Sequence, residues 1–491
     1  MDETQPLLQD TSLLYTERQD ELSGKDIVDF APEGDVDNPI EWPKAYKWGI
    51  VALQAFMSFT VTFTCISVVP IANRIVDDLD GGHASKSASV LLVTIWELGE
   101  AAGPLFIAPL SEVFGRYPII NVANVLFVGA TVLAALSQST PLLIAARALT
   151  GLAVASNVLN PAIVGDMFIS EQRGSPMSLV MLAPLIGGAV GPAISGAIAE
   201  SLGWRQVIWM STLLAVACEL GFLVCFRETY KVTILRRKAA RLRLETGNVS
   251  LRTAFDTSDE SSSKKLWDCI TRPATVLAGS GVLQAMSLFG SVVFTYYYIM
   301  STTLPGILED LYHLSPTEAG FLFISFSVGS AISVIFCNVF LDRIYIKLRD
   351  IHKGTGKPEY RLPIVIVGAF TLPLAIAFYG WAAQMRLPLG ILSLSVGLIG
   401  ATLMLGYLPF YAYVVDALGI YAASGMTAVI VLRCLMGTFL PLTTAPLVER
   451  FGYGLGFTFL AGIGMVFAPV PVLVFRYGSV WRQRSKYTRE E

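Results

Sequence analysis

Five charged side chains stand inside apolar stretches that are long enough to cross a membrane. Glu97 and Glu100 are three residues apart, so a helix would place them on one face. Arg147, Glu219 and Arg433 each occupy a separate apolar stretch. A charge in hydrocarbon costs about 3 kcal/mol, so it is expected to face a cavity or a partner. The predicted chemistry is proton exchange by a carboxylate or binding of a charged group.

Each of these charges also has a structural explanation. Glu97 or Glu100 could pair with Arg147 and lock two helices together, and the sequence does not separate this alternative from the functional one. For Glu219 and Arg433, the packing interpretation is the preferred one. All five residues are nevertheless predicted to belong to the proton-coupling or substrate cavity.

An aromatic cluster lies in the seventh apolar stretch. Its members could line an apolar cavity that stacks against flat groups, or they could form a belt at the membrane interface. The two interpretations are equally well supported. The cluster contains Phe294, Tyr296, Tyr297 and Tyr298.

The sequence gives little support for enzyme chemistry. The three histidines, His83, His313 and His352, all fall in loops, so no intramembrane histidine cluster can bind a metal or act as a buried base. The six cysteines have no spacing typical of a disulfide or metal site. A phosphate-binding G-x-x-x-x-G-K-[ST] motif is absent from the sequence. We therefore expect no catalytic site, no metal, no cofactor and no nucleic-acid partner.

Composition places these residues in a membrane protein. The chain has 491 residues, of which 54% are hydrophobic and 15% charged, and its mean hydropathy is +0.59. Twelve stretches are long enough to cross ~30 Å of hydrocarbon, which predicts an all-α membrane protein with twelve transmembrane helices. They are predicted at 48–71, 88–110, 118–137, 141–168, 175–199, 205–226, 274–300, 317–341, 362–383, 388–414, 420–446 and 455–475.

Charge asymmetry predicts that both termini are cytosolic. Most lysines and arginines fall in the tails and in the loops on the same side, including the basic run 236–243. The acidic N-terminal region has no signal-peptide pattern, so the first span is expected to direct insertion. Asn248 begins an N-x-[ST] sequon, and on the cytosolic side it is expected to stay unmodified.

The spacing of the spans divides the chain into two halves. An N-terminal tail (1–47) precedes a six-helix bundle (48–226). A polar linker (227–273) follows, and its basic helix is expected to lie on anionic headgroups, with a cytosolic partner as the alternative. A second six-helix bundle (274–476) precedes a C-terminal tail (477–491).

Glycine and proline are concentrated in the fifth span. Gly187, Gly191 and Gly196 remove side chains along the helix, and Pro192 frees a backbone carbonyl. Close helix packing is the simple explanation. The eleventh span repeats the spacing with Gly437-Thr-Phe-Leu-Pro441, which supports two related halves with a site between them.

Several motifs, in order along the chain, resemble the major facilitator superfamily. The run from Gly103 to Arg116, with Glu112 and Gly115, is similar to its loop-two gating signature in the version common among fungal drug:proton antiporters with twelve spans. The segment Arg147-Ala-Leu-Thr-Gly151 resembles the span-four motif associated with proton coupling. The pattern around Gly191 and Pro192 resembles the antiporter motif of exporters.

This resemblance implies a fold of two pseudo-symmetric six-helix bundles and a proton-coupled efflux transporter. The implied cargo is a drug, a toxin or a self-made secondary metabolite, and the implied state is a monomer in a lipid bilayer. Alternatives are a polyamine or organic-acid carrier on the same fold, a transport-dead nutrient sensor, and a polytopic enzyme. The plasma membrane is the expected location; the acidic-dileucine pattern from Glu3 to Leu8 makes the vacuolar or endosomal membrane the alternative.

Overall fold

The computed structural model describes residues 27–31, 34–81, 85–169, 172–253, 255, 262–352 and 356–488, and these are almost entirely helical. The helices of the first part are α1 (Lys44–Ile66), α2 (Ala72–Leu79), α3 (Lys86–Phe114), α4 (Arg116–Ala135), α5 (Thr140–Leu152), α6 (Ser156–Met167), α7 (Gly174–Leu202), α8 (Trp204–Cys225), α9 (Lys231–Thr246) and α10 (Ser262–Gly279). Those of the second part are α11 (Gly281–Tyr312), α12 (Pro316–Ile351), α13 (Leu362–Gln384), α14 (Leu389–Leu418), α15 (Ala422–Phe439), α16 (Thr444–Phe467) and α17 (Pro469–Gln483).

In the described part of the chain, eleven helical stretches are long and apolar enough to span a bilayer. The last stretch, Ala422–Gln483, has 62 residues, roughly three times the length that one crossing needs. It is broken by the 3-10 turn Leu440–Thr443 and again at Gly452, whose φ of 73° is not helical. We therefore count the stretch as two crossings, which gives the described part of the chain the twelve spans expected from the sequence.

Two tight corners support the internal repeat. Gly203 between α7 and α8 has φ 95°, and Gly452 within α16 has φ 73°. An L side chain is strained at such angles, whereas glycine adopts them freely. Both corners lie beyond the fifth span of their half and are followed by an aromatic residue, Trp204 or Tyr453.

The seventh span differs from its predicted bounds of 274–300. The structure divides this region into α10 and α11, and α11 continues to Tyr312. Thr302 and Thr303 lie just past the predicted end, and their hydroxyls donate to the carbonyls of Tyr298 and Ile299, one turn earlier. Because the helix itself satisfies these hydroxyls, polar residues do not end it.

The two halves touch on the membrane face opposite to the chain termini. There α7 packs against α12, and α3 packs against α15. Thr94 and Thr438 each donate a hydrogen bond to the other's carbonyl, at 3.0 and 3.3 Å. Arg74 pairs with Glu309 across the same interface at 3.5 Å. These contacts join the two halves on this side, which we call the opposite face.

On the other side, the terminal face, the N-terminal segment docks on the linker. Strand β1 (Ile27–Val28) pairs in parallel with β2 (Arg252–Thr253). The Lys238 ammonium on α9 lies 2.7 Å from the Asp35 carboxylate. The linker helix α9 is therefore held against the segment that precedes α1.

Candidate functional site

A cavity of about 300 Å³ lies between the two halves near the middle of the membrane. The first half contributes α1, α3, α6 and α7, and the second half contributes α11, α12, α14 and α15. Its lining residues are Val61, Thr62, Cys65, Ile66, Trp96, Glu97, Glu100, Asn157, Pro184, Leu185, Gly188, Phe294, Tyr297, Tyr298, Phe323, Phe326, Ser327, Ser330, Leu403, Met404 and Arg433. A largely apolar wall with a few convergent charges is typical of a small-molecule site.

Glu97 and Glu100 of α3 both pair with an arginine from the other half. Arg433 Nη2 on α15 lies 3.1 Å from Glu100 Oε1 and 3.5 Å from Glu97 Oε2. Tyr298 donates its hydroxyl proton to Glu97 Oε1 at 2.7 Å, and Asn157 donates to Glu100 Oε1 at 3.0 Å. We call Glu97, Glu100 and Arg433 the midplane cluster; it joins the halves through charge.

The cluster is more typical of proton or substrate binding than of metal binding. Glu97, Glu100 and Cys434 offer ligand atoms within 4.8 Å of one another. The Arg433 guanidinium, however, already lies against both carboxylates and supplies the positive charge that a metal would bring. Glu100 is the more accessible acid, because its side chain is 14% exposed and that of Glu97 is 3% exposed.

From the sequence, Glu97 or Glu100 could pair with Arg147. The structure does not show this pairing. Arg147 on α5 donates to the backbone carbonyls of Thr64 and Cys65, at 2.8 and 2.7 Å. Its guanidinium lies 4.8 Å from the centre of the Trp96 ring. Arg147 therefore supports the cavity wall from behind and does not line the cavity, because helical phase turns it toward the end of α1.

Glu219 also lies away from the cavity. It is 6% exposed on α8, with Asn124 of α4 as its polar neighbour, and neither carboxylate oxygen has a hydrogen-bond partner among the described residues. In the described part of the chain, α4 and α8 contribute nothing to the cavity wall. Glu219 therefore does not line this cavity, which agrees with the packing interpretation preferred for it from the sequence.

Most of the aromatic cluster lines the cavity. Phe294, Tyr297 and Tyr298 are spaced three and four residues apart, so they share the face of α11 that points inward. Tyr296 faces the other way and donates its hydroxyl proton to the carbonyl of Leu460 at 2.6 Å. Phe294 lies under the Arg433 guanidinium, 4.2 Å from ring centre to Cζ, which is a cation–π contact.

The chain matches one protein family over most of its length. The model for the Major Facilitator Superfamily matches residues 51–441, well over half of the chain. The chain belongs to the Major Facilitator Superfamily. This membership confirms the family expected from the sequence motifs and makes the chain a membrane transporter, not an enzyme.

Similar curated proteins of this superfamily come from fungi. "Efflux pump radE" of Floropilus chiversii is 34% identical over 471 residues, which cover 96% of this chain and 87% of that protein. "MFS transporter cpaT" of Aspergillus oryzae is 32% identical and covers 92% of this chain and 91% of its own length. Similarity therefore extends over nearly the whole chain and includes fungal efflux transporters.

Solved structures of the superfamily share the fold. A D-xylose-proton symporter matches with a TM-score of 0.66 at 15% identity, covering 87% of this chain and 97% of that one. The human organic anion transporter MFSD10 (TETRAN) matches with a TM-score of 0.59 at 17% identity, covering 88% of this chain and all of that one. At such low identity the likeness establishes the fold alone. It confirms the predicted major facilitator architecture.

The run from Gly103 to Arg116, which resembles the superfamily's loop-two signature, ends on the terminal face. Gly115 has φ 103° at the corner between α3 and α4. Arg116 follows it, is buried, donates to Ser111 Oγ, and pairs with Asp166 at 3.5 Å. Glu112 is exposed and contributes no hydrogen bond or ion pair among the described residues.

A different acid, Glu228, secures this corner. Its carboxylate accepts hydrogen bonds from the backbone N–H groups of Arg116 and Tyr117, at 2.9 and 3.3 Å. A carboxylate at the first turn of α4 stabilises the positive end of the helix dipole. Glu228 is not among the site residues predicted from the sequence.

Two of the fifth-span glycines, Gly187 and Gly196, lie close to a backbone carbonyl of another helix, and Gly191 does not. A Cβ on Gly187 would lie 2.8 Å from the Phe59 carbonyl of α1, within the same half. A Cβ on Gly196 would collide with the Pro316 carbonyl of α12, in the other half. At Gly191 the nearest atom would be 3.6 Å away on Phe63, an ordinary contact.

Several residues that line the cavity were not predicted from the sequence. Phe323, Phe326, Ser327 and Ser330 of α12 and Asn157 of α6 carry no motif. Asn157 had a usable signal, because an amide inside an apolar span is uncommon and tends to face a cavity or a partner. The aromatic residues of α12 had none, because one apolar span holds many such residues and the sequence does not give their direction.

Proposed function

We propose that this transporter exports small organic compounds in exchange for protons, with Glu100 as the principal proton-exchanging group. The observation that carries the proposal is the midplane cluster. Its two carboxylates come from the first half and its guanidinium from the second, and all three line the cavity. A proton bound there changes the charge between the halves, and this is the coupling that antiport requires.

The proposed coupling acts through the contact of α3 with α15. While both carboxylates are ionised, they attract Arg433 and favour closure of the opposite face. A proton on Glu100 removes one of the two charges that hold Arg433, so separation of the halves on that face becomes easier. The bundles 48–226 and 274–476 are proposed to move largely as rigid bodies around this cluster.

The proposed cargo is apolar or cationic, with a flat ring system. Phe294, Tyr297, Phe323 and Phe326 offer stacking surfaces in the cavity. With both carboxylates ionised, the midplane cluster has one more negative charge than positive, which favours cations. The name of one fungal relative, an efflux pump, supports export as the direction of transport. Drugs, toxins or secondary metabolites are the class of cargo that we propose.

The proposed setting is the plasma membrane, with both termini cytosolic and a monomer as the working unit. The terminal face carries the basic run of α9, in accord with the positive-inside rule. The dileucine pattern at residues 3–8 lies outside the described residues.

Purified protein in proteoliposomes with an imposed pH gradient, screened against a compound panel, tests the proposal. The wild type is expected to accumulate a flat hydrophobic cation when the cation is supplied on the cytosolic side and the opposite side is acidic. Glu100→Gln is expected to insert normally and to lose pH-driven accumulation, because the amide binds no proton at these pH values. Glu245→Gln, an exposed change on α9, is the matched control and should behave as the wild type.

Two results would contradict the proposal. If Glu100→Gln keeps wild-type accumulation and the same pH dependence, Glu100 does not carry the coupled proton. If no compound in the panel responds to the gradient while the protein still binds some of them, proton-driven export itself is wrong.

A further inference from the structure

A second pocket, of about 310 Å³, lies on the terminal face, outside the transport pathway. It is enclosed by the N-terminal segment on one side and by α9 on the other. Its lining residues are Val36, Asp37, Trp42, Arg227, Glu228, Ile234, Arg237, Lys238 and Arg241. We call it the tail–linker pocket.

One helix face supplies most of the positive charge in this pocket. Ile234, Arg237, Lys238 and Arg241 are spaced three and four residues apart, so they form one stripe along α9. Arg237 and Arg241 are four apart, and like charges at that spacing destabilise a helix. An anion between them would remove this repulsion.

The acidic groups at the pocket are mostly engaged elsewhere. Glu228 accepts the backbone N–H groups at the start of α4, at 2.9 and 3.3 Å. Lys238 is neutralised by Asp35 at 2.7 Å, so its charge is also accounted for. Arg241 also pairs with Glu245 at 3.6 Å, but both side chains are exposed and such a pair is weak. Arg227 and Arg237 then stand against one exposed acid, Asp37, so the pocket keeps an excess of positive charge.

The position of the pocket indicates the source of the anion. Trp42 comes two residues before α1, and Arg227 comes two residues after α8, so both lie where spans leave the hydrocarbon. The Tyr46 hydroxyl donates to the Cys225 carbonyl at 2.6 Å and fixes these two helix ends together. Trp42 and Ile234 add an apolar wall beside the arginines. A phosphate at the membrane surface, with an apolar moiety next to it, fits this arrangement.

We propose that the tail–linker pocket binds the phosphate of an anionic phospholipid headgroup from the adjacent membrane leaflet. The arginine guanidinium groups of α9 bind the phosphate oxygens, and Arg227 approaches them from the end of α8. The bound lipid joins the N-terminal segment, α8 and α9 on the terminal face. The proposal rests on position and charge and does not depend on the identity of the cargo.

Thermal unfolding of the full-length protein in detergent tests the proposal without any transport assay. The probes are dioctanoyl phosphatidylinositol 4-phosphate, dioctanoyl phosphatidylcholine and inorganic phosphate. The anionic lipid is expected to raise the melting temperature of the wild type, while phosphatidylcholine and inorganic phosphate leave it unchanged. Each basic side chain at an anionic surface strengthens binding about fivefold, so Arg237→Gln/Arg241→Gln should need about thirtyfold more lipid for the same shift.

The matched control removes two positive charges from the terminal face, as the pocket variant does. Arg236→Gln/Arg349→Gln changes two basic residues outside the pocket and should respond to the lipid as the wild type does. Asp37→Asn removes the one acid that opposes the ligand and should need about fivefold less lipid. This last variant tests the pocket even if the double arginine variant folds poorly.

Two outcomes would overturn the proposal. Equal lipid dependence in the pocket variant and the matched control would mean that the pocket is not the site. The second outcome is that inorganic phosphate alone raises the melting temperature of the wild type but not that of Arg237→Gln/Arg241→Gln. The pocket would then bind a soluble phosphate, and the proposal that it binds a lipid would be wrong.

Discussion

At the scale of single residues, Arg433 has more contacts than the other cavity charges. It pairs with both glutamates, lies over Phe294, and donates to the Tyr407 hydroxyl at 3.5 Å. A guanidinium can make all of these contacts at once, because it is planar and has five donors. An ammonium can supply the charge but not the geometry.

Two substitutions of Arg433 separate the effect of its positive charge from the effect of its planar shape. Arg433→Ala leaves two carboxylates at the midplane without a cation, so both transport and thermal stability should fall strongly. Arg433→Lys keeps the charge and should melt near the wild type, but transport should fall about tenfold or more, because the contact with Phe294 and the shared bonds are lost. Melting curves and pH-driven uptake measure the two effects.

Arg343→Lys on α12, outside the cavity, is the control for this series. Wild-type transport by Arg433→Ala would show that the cluster is structural and would remove the basis of the proposed coupling.

At the scale of elements, α7 and α12 meet through a reciprocal glycine contact. A Cβ on Gly196 would collide with the Pro316 carbonyl, and a Cβ on Gly320 would collide with the Pro192 carbonyl. Both contacts join the two halves near the opposite face. Gly191, which the resemblance to the antiporter motif singled out, makes no such contact, because its Cβ would meet only Phe63 at 3.6 Å.

A matched glycine series tests this contact. Gly196→Ala and Gly320→Ala should insert normally but hold α7 and α12 apart, because backbone atoms cannot move aside as a side chain can. Transport should fall about tenfold, and Cys65 in a variant with no other cysteine should react faster with an impermeant maleimide applied to the opposite face. Gly191→Ala is the control and should transport like the wild type.

If Gly196→Ala and Gly191→Ala behave alike, then the contact of α7 with α12 does not limit the transport cycle. If transport decreases only in Gly191→Ala, then the packing of α7 on α1 limits the cycle, and the contact of α7 with α12 does not.

At the scale of the whole molecule, residues far apart in the chain form one unit on the terminal face. Strand β1 pairs with β2 more than 200 residues later, and Asp35 pairs with Lys238. The Lys238 ammonium lowers the pKa of Asp35 below its usual 3.8. A depressed pKa in the folded state means that the pair stabilises docking above pH 3.8 and is lost only as pH falls through the lowered value.

Charge reversal tests this docking. Asp35→Lys should free the N-terminal segment and speed amide hydrogen exchange of residues 27–31 about tenfold at neutral pH, because a charged hydrogen bond becomes a repulsion. Asp35→Lys/Lys238→Glu should restore slow exchange. The wild type should keep slow exchange down to pH ~4, since the carboxylate stays ionised there.

Exchange that is equally slow in Asp35→Lys would show that the strand pair holds the segment without this ion pair. Exchange that stays fast in the double variant would show that the two side chains do not act as a pair.

The sequence alone determined the class, the number of spans and the family of this transporter. An apolar run long enough to cross a bilayer must become a helix there, because each backbone polar group needs a partner within the same segment. The motifs at Gly115 and Gly191 depend on local backbone and helix contact, so they too can be read from consecutive residues. The same local logic identified Glu97, Glu100 and Arg433 as charges that hydrocarbon would not tolerate alone.

Only the tertiary structure decided which of these charges meet. Arg147 and Arg433 are equivalent in the sequence, each a lone cation in an apolar span, yet Arg433 binds the glutamates and Arg147 binds backbone carbonyls of α1. Pairing depends on the rotation and neighbours of each helix, and the hydrophobic pattern is too uniform in a bundle to fix them. For the same reason, Glu219 was grouped with the cavity but lies outside it, and the tail–linker pocket appeared only when residues 36 and 237 were brought together.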